Sequence, residues 1–473
     1  MFGIIVVVVL IGGLTAVGLS MAKRNKTTED YYLGGRSVGT LVTIGTQCAT
    51  FVGGGMTLGW IGMGYLYGMS AAWYGAPQAL GFIFMALVLV KSMRKYNFTS
   101  LPDWFDSIYH NKALSIISAL VCLIVPITWV TGQTTAAARM LETIGIPYTI
   151  GVIVVGGLVV LFSTIGGYLA VVYTDTIQWI LLLVIFICTV PLAIIFAGGF
   201  GEVWSSAPEY MRDVSSVHGM PSGTIFLWII SGLVSGMGLQ TSYQRIFSAK
   251  TEKVAKQGLW ATAIATIFFA CLTAFVGMSV LHLGAPADLA QDSVWPWFLE
   301  NFLPSWVAVF YSACVMMATM STADSMLNSI SLTITHDLYS KFINPKADDK
   351  KVLKIGFAVS AIFGVIALWW ATGGTWMIAI FGYSYTLGAG PLAAAVILAA
   401  LMKKRANAKC LAVGLIAGPV IGYITLQIPT LAAVPAGGTF FSFSGTLLVG
   451  LLGSLILKPK PQLTAGEAVE AAE

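Results

Sequence analysis

Charge is what this sequence has least of. Of its 473 residues only 10% are Asp, Glu, Lys or Arg, against about a quarter in a soluble domain. That scarcity excludes an ordinary water-soluble enzyme. With 57% hydrophobic residues it leaves a polytopic membrane protein, so the net charge of +5 is read through topology rather than as a nucleic-acid footprint. The six cysteines (48, 122, 188, 271, 314 and 410) show no CxxC pair and no metal-ligand spacing, and read as small buried hydrophobes. HExxH and nucleotide-binding loops are missing, so no enzyme is expected and any uphill work must draw on an ion gradient. The first apolar run, Phe2 to Met21, has no basic residue before it and Lys23 and Arg24 after it. A secretory signal has the opposite order, so this run reads as a retained helix.

What is present in quantity is long apolar runs. A window of about 20 apolar residues per span gives about thirteen helices. They lie near 2–21, 38–63, 70–92, 112–141, 148–168, 174–198, 223–245, 256–283, 304–338, 352–371, 374–401, 408–428 and 439–457. All but Arg139 and Arg212 of the 25 Lys and Arg residues then fall on one side. The positive-inside rule places the N-terminus outside and the C-terminus in the cytoplasm. The tail 461–473 reads as disordered.

The stretch from Ala318 to Ser325 carries the most chemistry. Ala318, Ser321, Thr322 and Ser325 are spaced i, i+3, i+4, i+7 and share one helical face. Hydroxyls and carbonyls alone suit a hard cation without redox chemistry. Asp324, one position off that face, puts a carboxylate at membrane depth, where an acid is costly and marks a functional site by default. Interhelical hydrogen bonding by Ser and Thr is the competing explanation.

Gly53, Gly54 and Gly55 interrupt the second span. Unwound backbone at that depth must line a cavity or be buried in protein. The carbonyls of Ala49 and Val52, just before the break, become candidate cation ligands. Ser235–Gly238 interrupts the seventh span more weakly. Paired interrupted helices in two halves point to a transporter binding site. Asp175, at the predicted start of the sixth helix, reads either as an N-terminal cap or as a second acid facing the cation site. No Lys or Arg falls in the predicted interior of a core helix, so a bound cation is the expected counter-charge for these acids. Most tryptophans read as interfacial, but Trp129 lies mid-span with Gln133 at i+4, which suggests a cavity wall able to hold an organic cation.

With these residues in hand the chain resembles the sodium/solute symporter family. The resemblance rests on Gly34-Gly35-Arg36 after Asp30-Tyr31-Tyr32, on Ile165 to Gln178, on Gln244-Arg245 and on Asp337-Leu338-Tyr339. It implies an all-α polytopic fold with a leucine-transporter-like core of two inverted five-helix repeats. It also implies a main sodium site on Ala49, Val52, Ala318, Ser321 and Thr322, and a possible second cation site around Asp175, Asp324 and Ser325 with Ser321 and Thr322. The motifs Phe51–Gly55 and Met320–Ser325 are nearest to the choline transporter branch. Phe51 and Met56, however, replace two aromatics of its cage, and Met56 stands where glucose transporters carry Gln. The expected substrate residues are Phe51, Gly53, Gly54, Met56, Trp60, Trp129, Gln133 and Trp228.

The expected organisation is a first helix and loop over 1–37, a transport core over 38–401 (repeats 38–198 and 223–401), two further helices over 402–460, and the tail. The expected function is sodium-coupled import of a small organic solute by alternating access, the solute being choline-like, an amino acid or a small carboxylate. A sensor built on a symporter fold and an ion channel are the alternatives. The expected partners are sodium ions, the solute and the bilayer, with neither a nucleic acid nor an obligate protein partner.

Overall fold

A computed structural model describes residues 27–457 except 96, 143, 144, 375 and 376, plus a few positions of the first apolar run, without the side chains of 55, 56, 164, 165 and 377. The helix expected over 2–21 falls mostly outside the described residues, the tail wholly so.

The described chain is helical, with no β-structure beyond one parallel bridge between Val38 and Ala249. The principal helices, in order, are α1 (Thr28–Leu33), α2 (Thr40–Phe51), α3 (Gly54–Tyr67), α4 (Gln78–Phe84), α5 (Leu101–Tyr109), α6 (Lys112–Glu142), α7 (Tyr148–Phe196) and α8 (Thr224–Met237). There follow α9 (Gln240–Ser248), α10 (Glu252–His282), α11 (Ser305–Leu332), α12 (Asp349–Ala371), α13 (Met377–Ser384), α14 (Gly390–Met402), α15 (Ala408–Thr425) and α16 (Thr439–Ile456).

Among the described residues nine helices are long and apolar enough to cross a membrane, or ten if the bent pair α8–α9 is one span. Two places account for most of the difference from about thirteen. The run Thr57–Met93 is continuous enough to count once, yet its 37 residues would reach about 55 Å as one straight helix. Gly68, at φ +63°, turns the chain there, and an added Cβ would lie 2.2 Å from the Met211 carbonyl. The spans expected over 148–168 and 174–198 are joined as α7, kinked at Gly167 (φ 65°, ψ 178°).

α11 is the hub. It packs on α6 and α7 and meets α2 and α3, and 78% of its most apolar window is buried, against 39% for α15 and α16. Those two pair with each other and with α14 at the periphery. α11 therefore presents polar residues to protein on every side, which is why Thr319, Ser321, Thr322, Ser325, Asn328 and Ser329 are tolerated in it.

Candidate functional site

The glycine run breaks its helix. α2 ends at Phe51, Val52 leaves helical geometry (φ −120°, ψ 33°), and Gly53 is extended (φ −72°, ψ 174°) before α3 begins at Gly54. The glycines are required by close approach. A Cβ on Gly53 would meet the Ala49 carbonyl at 2.5 Å and Thr322 Oγ1 at 3.0 Å, and one on Gly54 would meet Val315 at 2.8 Å.

This break sits against α11. Thr322 Oγ1 lies 3.3 Å from both the Ala49 and the Ala318 carbonyl oxygens, and Ser321 Oγ donates to Ala318 at 3.1 Å. Thr322 thus joins Ala49 of α2 to Ala318 of α11, and all five expected main-site residues, Val52 and Ser321 included, are buried. Three carbonyls and two hydroxyls form a neutral, hard donor set. No group of three or more His, Cys, Asp or Glu side chains able to hold a metal occurs among the described residues. Such a set fits a monovalent hard cation better than a divalent or transition metal.

The second acidic region differs from expectation. Asp175 is no helix cap: it lies in the interior of α7. Its Oδ2 accepts from Thr46 Oγ1 at 2.5 Å, Ser325 Oγ at 3.1 Å and Arg245 Nη2 at 3.2 Å. Arg245, expected at the cytoplasmic end of the seventh span, lies instead in α9, folded back into the protein and 2% exposed. Its guanidinium also donates to Thr50 Oγ1 (2.6 Å), Thr46 Oγ1 (3.0 Å), Ser325 Oγ (2.9 Å) and the Thr241 carbonyl (3.1 Å). A protein cation, not a bound ion, therefore neutralises Asp175. The reason is the short break before α9, which bends the chain by 42° and carries Arg245 inward. Asp324 remains buried, and its Oδ1 has no partner among the described residues.

The substrate residues separate into two groups. Phe51 and Trp129 make an edge contact at 5.9 Å, Phe51 meets Phe82 at 4.5 Å, and Trp129 meets Phe381 of α13 at 5.0 Å. Gln133 follows one turn on from Trp129 and is fully buried. Neither its amide nitrogen nor its amide oxygen has a partner among the described residues, and the Trp129 indole N–H lacks one too. Trp228 is elsewhere: its indole donates to the Pro435 carbonyl at 3.1 Å and packs on Tyr67 and Tyr74. Trp60 lies against Gly75. The Met56 side chain is outside the described residues. Sequence reasoning missed Phe82, Phe381, Thr46, Thr50 and Arg245. For the two threonines the signal was present, since they stand at i, i+4 on α2, the helix that also carries Ala49.

A family model described as the sodium:solute symporter family matches residues 31–418. The sodium/proline symporter of Escherichia coli is 26% identical over 439 residues, spanning 89% of this chain and 86% of that protein. The human high affinity choline transporter 1 is 25% identical over 388 residues, spanning 77% and 67%. A solved structure of a Na+-coupled sialic acid symporter, substrate-bound and outward-open, superposes with a TM-score of 0.84 over 98% of this chain and 99% of that one, at 19% identity. At that identity the likeness speaks to fold alone, and it is the all-helical, leucine-transporter-like fold. With the match running across most of its length, the chain is a multi-pass membrane protein of the sodium:solute symporter family.

Proposed function

We propose that sodium binds at the α2–α3 break, on the carbonyls of Ala49, Val52 and Ala318 and the hydroxyls of Ser321 and Thr322, and that it fixes this break against α11. The solute then binds beside it, between Phe51, Trp129 and Phe381, with Gln133 as its polar anchor. Gly53 and Gly54 admit it to the bared backbone. Because the ion joins two elements that must separate when the site changes sides, it favours the solute-ready conformation by differential binding.

The observation that carries this reading is Gln133. A buried amide without partners costs about 1–3 kcal/mol, a penalty that a ligand offering both a donor and an acceptor removes. The solute we favour is a small amino acid or carboxylate, as the proline symporters' names suggest for those proteins. The amide nitrogen and the free N–H groups at the start of α3, which has no side-chain cap, are both suited to a carboxylate. A quaternary ammonium has no acceptor for these donors. Trp228, packed on Tyr67 and Tyr74, and Trp60, beside Gly75, support the wall rather than touch the solute. Arg245 takes the Asp175 and Ser325 part of the second-cation site, which leaves Asp324 as its remaining acidic candidate ligand, beside Ser321 and Thr322.

In this reading the N-terminus lies outside and the C-terminus in the cytoplasm. Residues 38–198 and 223–401 are the inverted repeats, flanked by 1–37, by 402–460 and by the tail. Thermal melting of the purified protein against proline, other small amino acids, carboxylates and choline, each with and without sodium, tests the assignment. Stabilisation by an amino acid or carboxylate that requires sodium is expected. Stabilisation by choline alone would overturn the solute class.

A further inference from the structure

The lipid-facing side of α2 and α10 carries a groove that the transport site does not use. α10 opens with Thr251, whose hydroxyl caps the helix by accepting from the Val254 N–H. Lys253 and Lys256 stand on its first turns at one end of the groove, and Trp260, Ala261 and Ile264 continue along it, facing Ile44 of α2. Thr40 of α2 donates to Gln257 at 3.3 Å, which joins the two helices beneath the lysines. Glu252 is the acidic group in the groove, and it holds Lys256 at 2.7 Å with both side chains more than a third exposed. Lys253 is exposed and has no acidic partner among the described residues. Lys250 lies three residues earlier, and the helix N-terminus adds its own positive potential.

The dimensions match one leaflet. Lys253 to Ile264 is about 16 Å along a helix, roughly half of a ~30 Å hydrocarbon core. Trp260, 41% exposed, falls between the charged and apolar parts, where tryptophan prefers the headgroup boundary. Ile264, 67% exposed, also belongs to a second apolar groove running on past Ile267, Phe268 and Cys271. Positive charge at one end and a continuous apolar track below it are complementary to an anion carrying a hydrocarbon chain.

We propose that this groove binds one anionic phospholipid. Lys253 and Lys256 take its phosphate, Trp260 lies beside the glycerol region, and an acyl chain covers Ile44, Ala261 and Ile264. The lipid would clasp α10 to α2, the helix that ends in the Ala49 and Val52 carbonyls. A free phosphate shares the headgroup chemistry but leaves the apolar track bare.

The test uses the full-length protein in detergent, with dioleoylphosphatidylglycerol or dioleoylphosphatidylcholine added and the retained lipid counted by native mass spectrometry. Wild-type protein is expected to retain phosphatidylglycerol and not phosphatidylcholine. Lys253→Gln/Lys256→Gln should weaken retention by about tenfold or more, since each lysine near a lipid surface contributes about a fivefold factor. Lys253→Gln alone should show an intermediate loss. Lys350→Gln/Lys351→Gln, which removes two exposed lysines from the start of α12, should leave retention unchanged. Equal retention by the Lys253/Lys256 variant, equal retention of phosphatidylcholine, or displacement by millimolar inorganic phosphate would each overturn the proposal.

Discussion

Gln133 and Arg245 illustrate opposite kinds of buried polarity. Gln133 has no partner among the described residues, so Gln133→Leu should raise the melting temperature of the solute-free protein while weakening the solute-dependent shift about tenfold or more. A structural amide would behave the other way, losing stability and leaving the ligand response intact. Arg245 is saturated, and Arg245→Met strands Asp175 among Thr46 and Ser325. A broken buried pair costs about 3–5 kcal/mol, whereas replacing both members with apolar groups is often neutral. Arg245→Met/Asp175→Leu should therefore recover much of the stability lost in Arg245→Met, which thermal melting of the three variants would show. At the main site, Ser321→Ala and Thr322→Ala should each raise the sodium concentration for half-maximal transport several-fold, because each removes one of five oxygens. Sodium titrations of uptake check this, and a change in protein yield alone would mean that the hydroxyls only join helices.

The break in the second span was legible because three glycines in a row leave few alternatives, and the α11 face because Ala318 and the hydroxyls of Ser321, Thr322 and Ser325, at i, i+3, i+4 and i+7, have only one shared side. The position of Arg245 was not legible. Its charge suggests a membrane edge, and only the bend between α8 and α9 brings it to Asp175. Nor did hydropathy reveal Phe381, since a wall made by a distant helix leaves no local pattern. A second element also emerged only in three dimensions: a latch at the end of α11. There the chain continues as a π-helix, Thr333–Ile343, whose Lys341 bonds Asp103 of α5 at 2.6 Å while its Asp337 accepts from Ser100 at 2.5 Å. Burial opposes ionisation of Asp103, but His336 and Lys341 outweigh it and hold the carboxyl below its ordinary range. A depressed folded pKa means the contribution is complete above the unfolded value of about 3.9 and is lost only as pH falls through the folded one. The difference in melting temperature between wild type and Asp103→Asn should thus stay constant from about pH 6 to pH 5, where the His336 partner is charged in both folded and unfolded chains, and shrink below about pH 4.

For the molecule as a whole, the consequence of the Asp175–Arg245 pair is electrical. The pair is neutral and belongs to the protein, so it carries no net charge across the membrane when the site changes sides. In the proposed reading, the neutral oxygen set at the main site would supply the moving charge, one sodium, and a zwitterionic solute would add none. One charge moved inward through 100 mV yields about 2.3 kcal/mol, enough for roughly fiftyfold accumulation at about 1.4 kcal/mol per tenfold. Asp324 is the group that can change this sum, because its carboxylate is buried with no partner on Oδ1 among the described residues, which leaves that oxygen open to a second cation. We therefore expect one charge per solute in wild-type proteoliposomes and the same ratio in Asp324→Asn, measured from the reversal potential of solute-driven flux. A ratio of two that falls to one in Asp324→Asn would instead make Asp324 a ligand of a second transported cation, with Arg245 serving only to keep Asp175 out of that site.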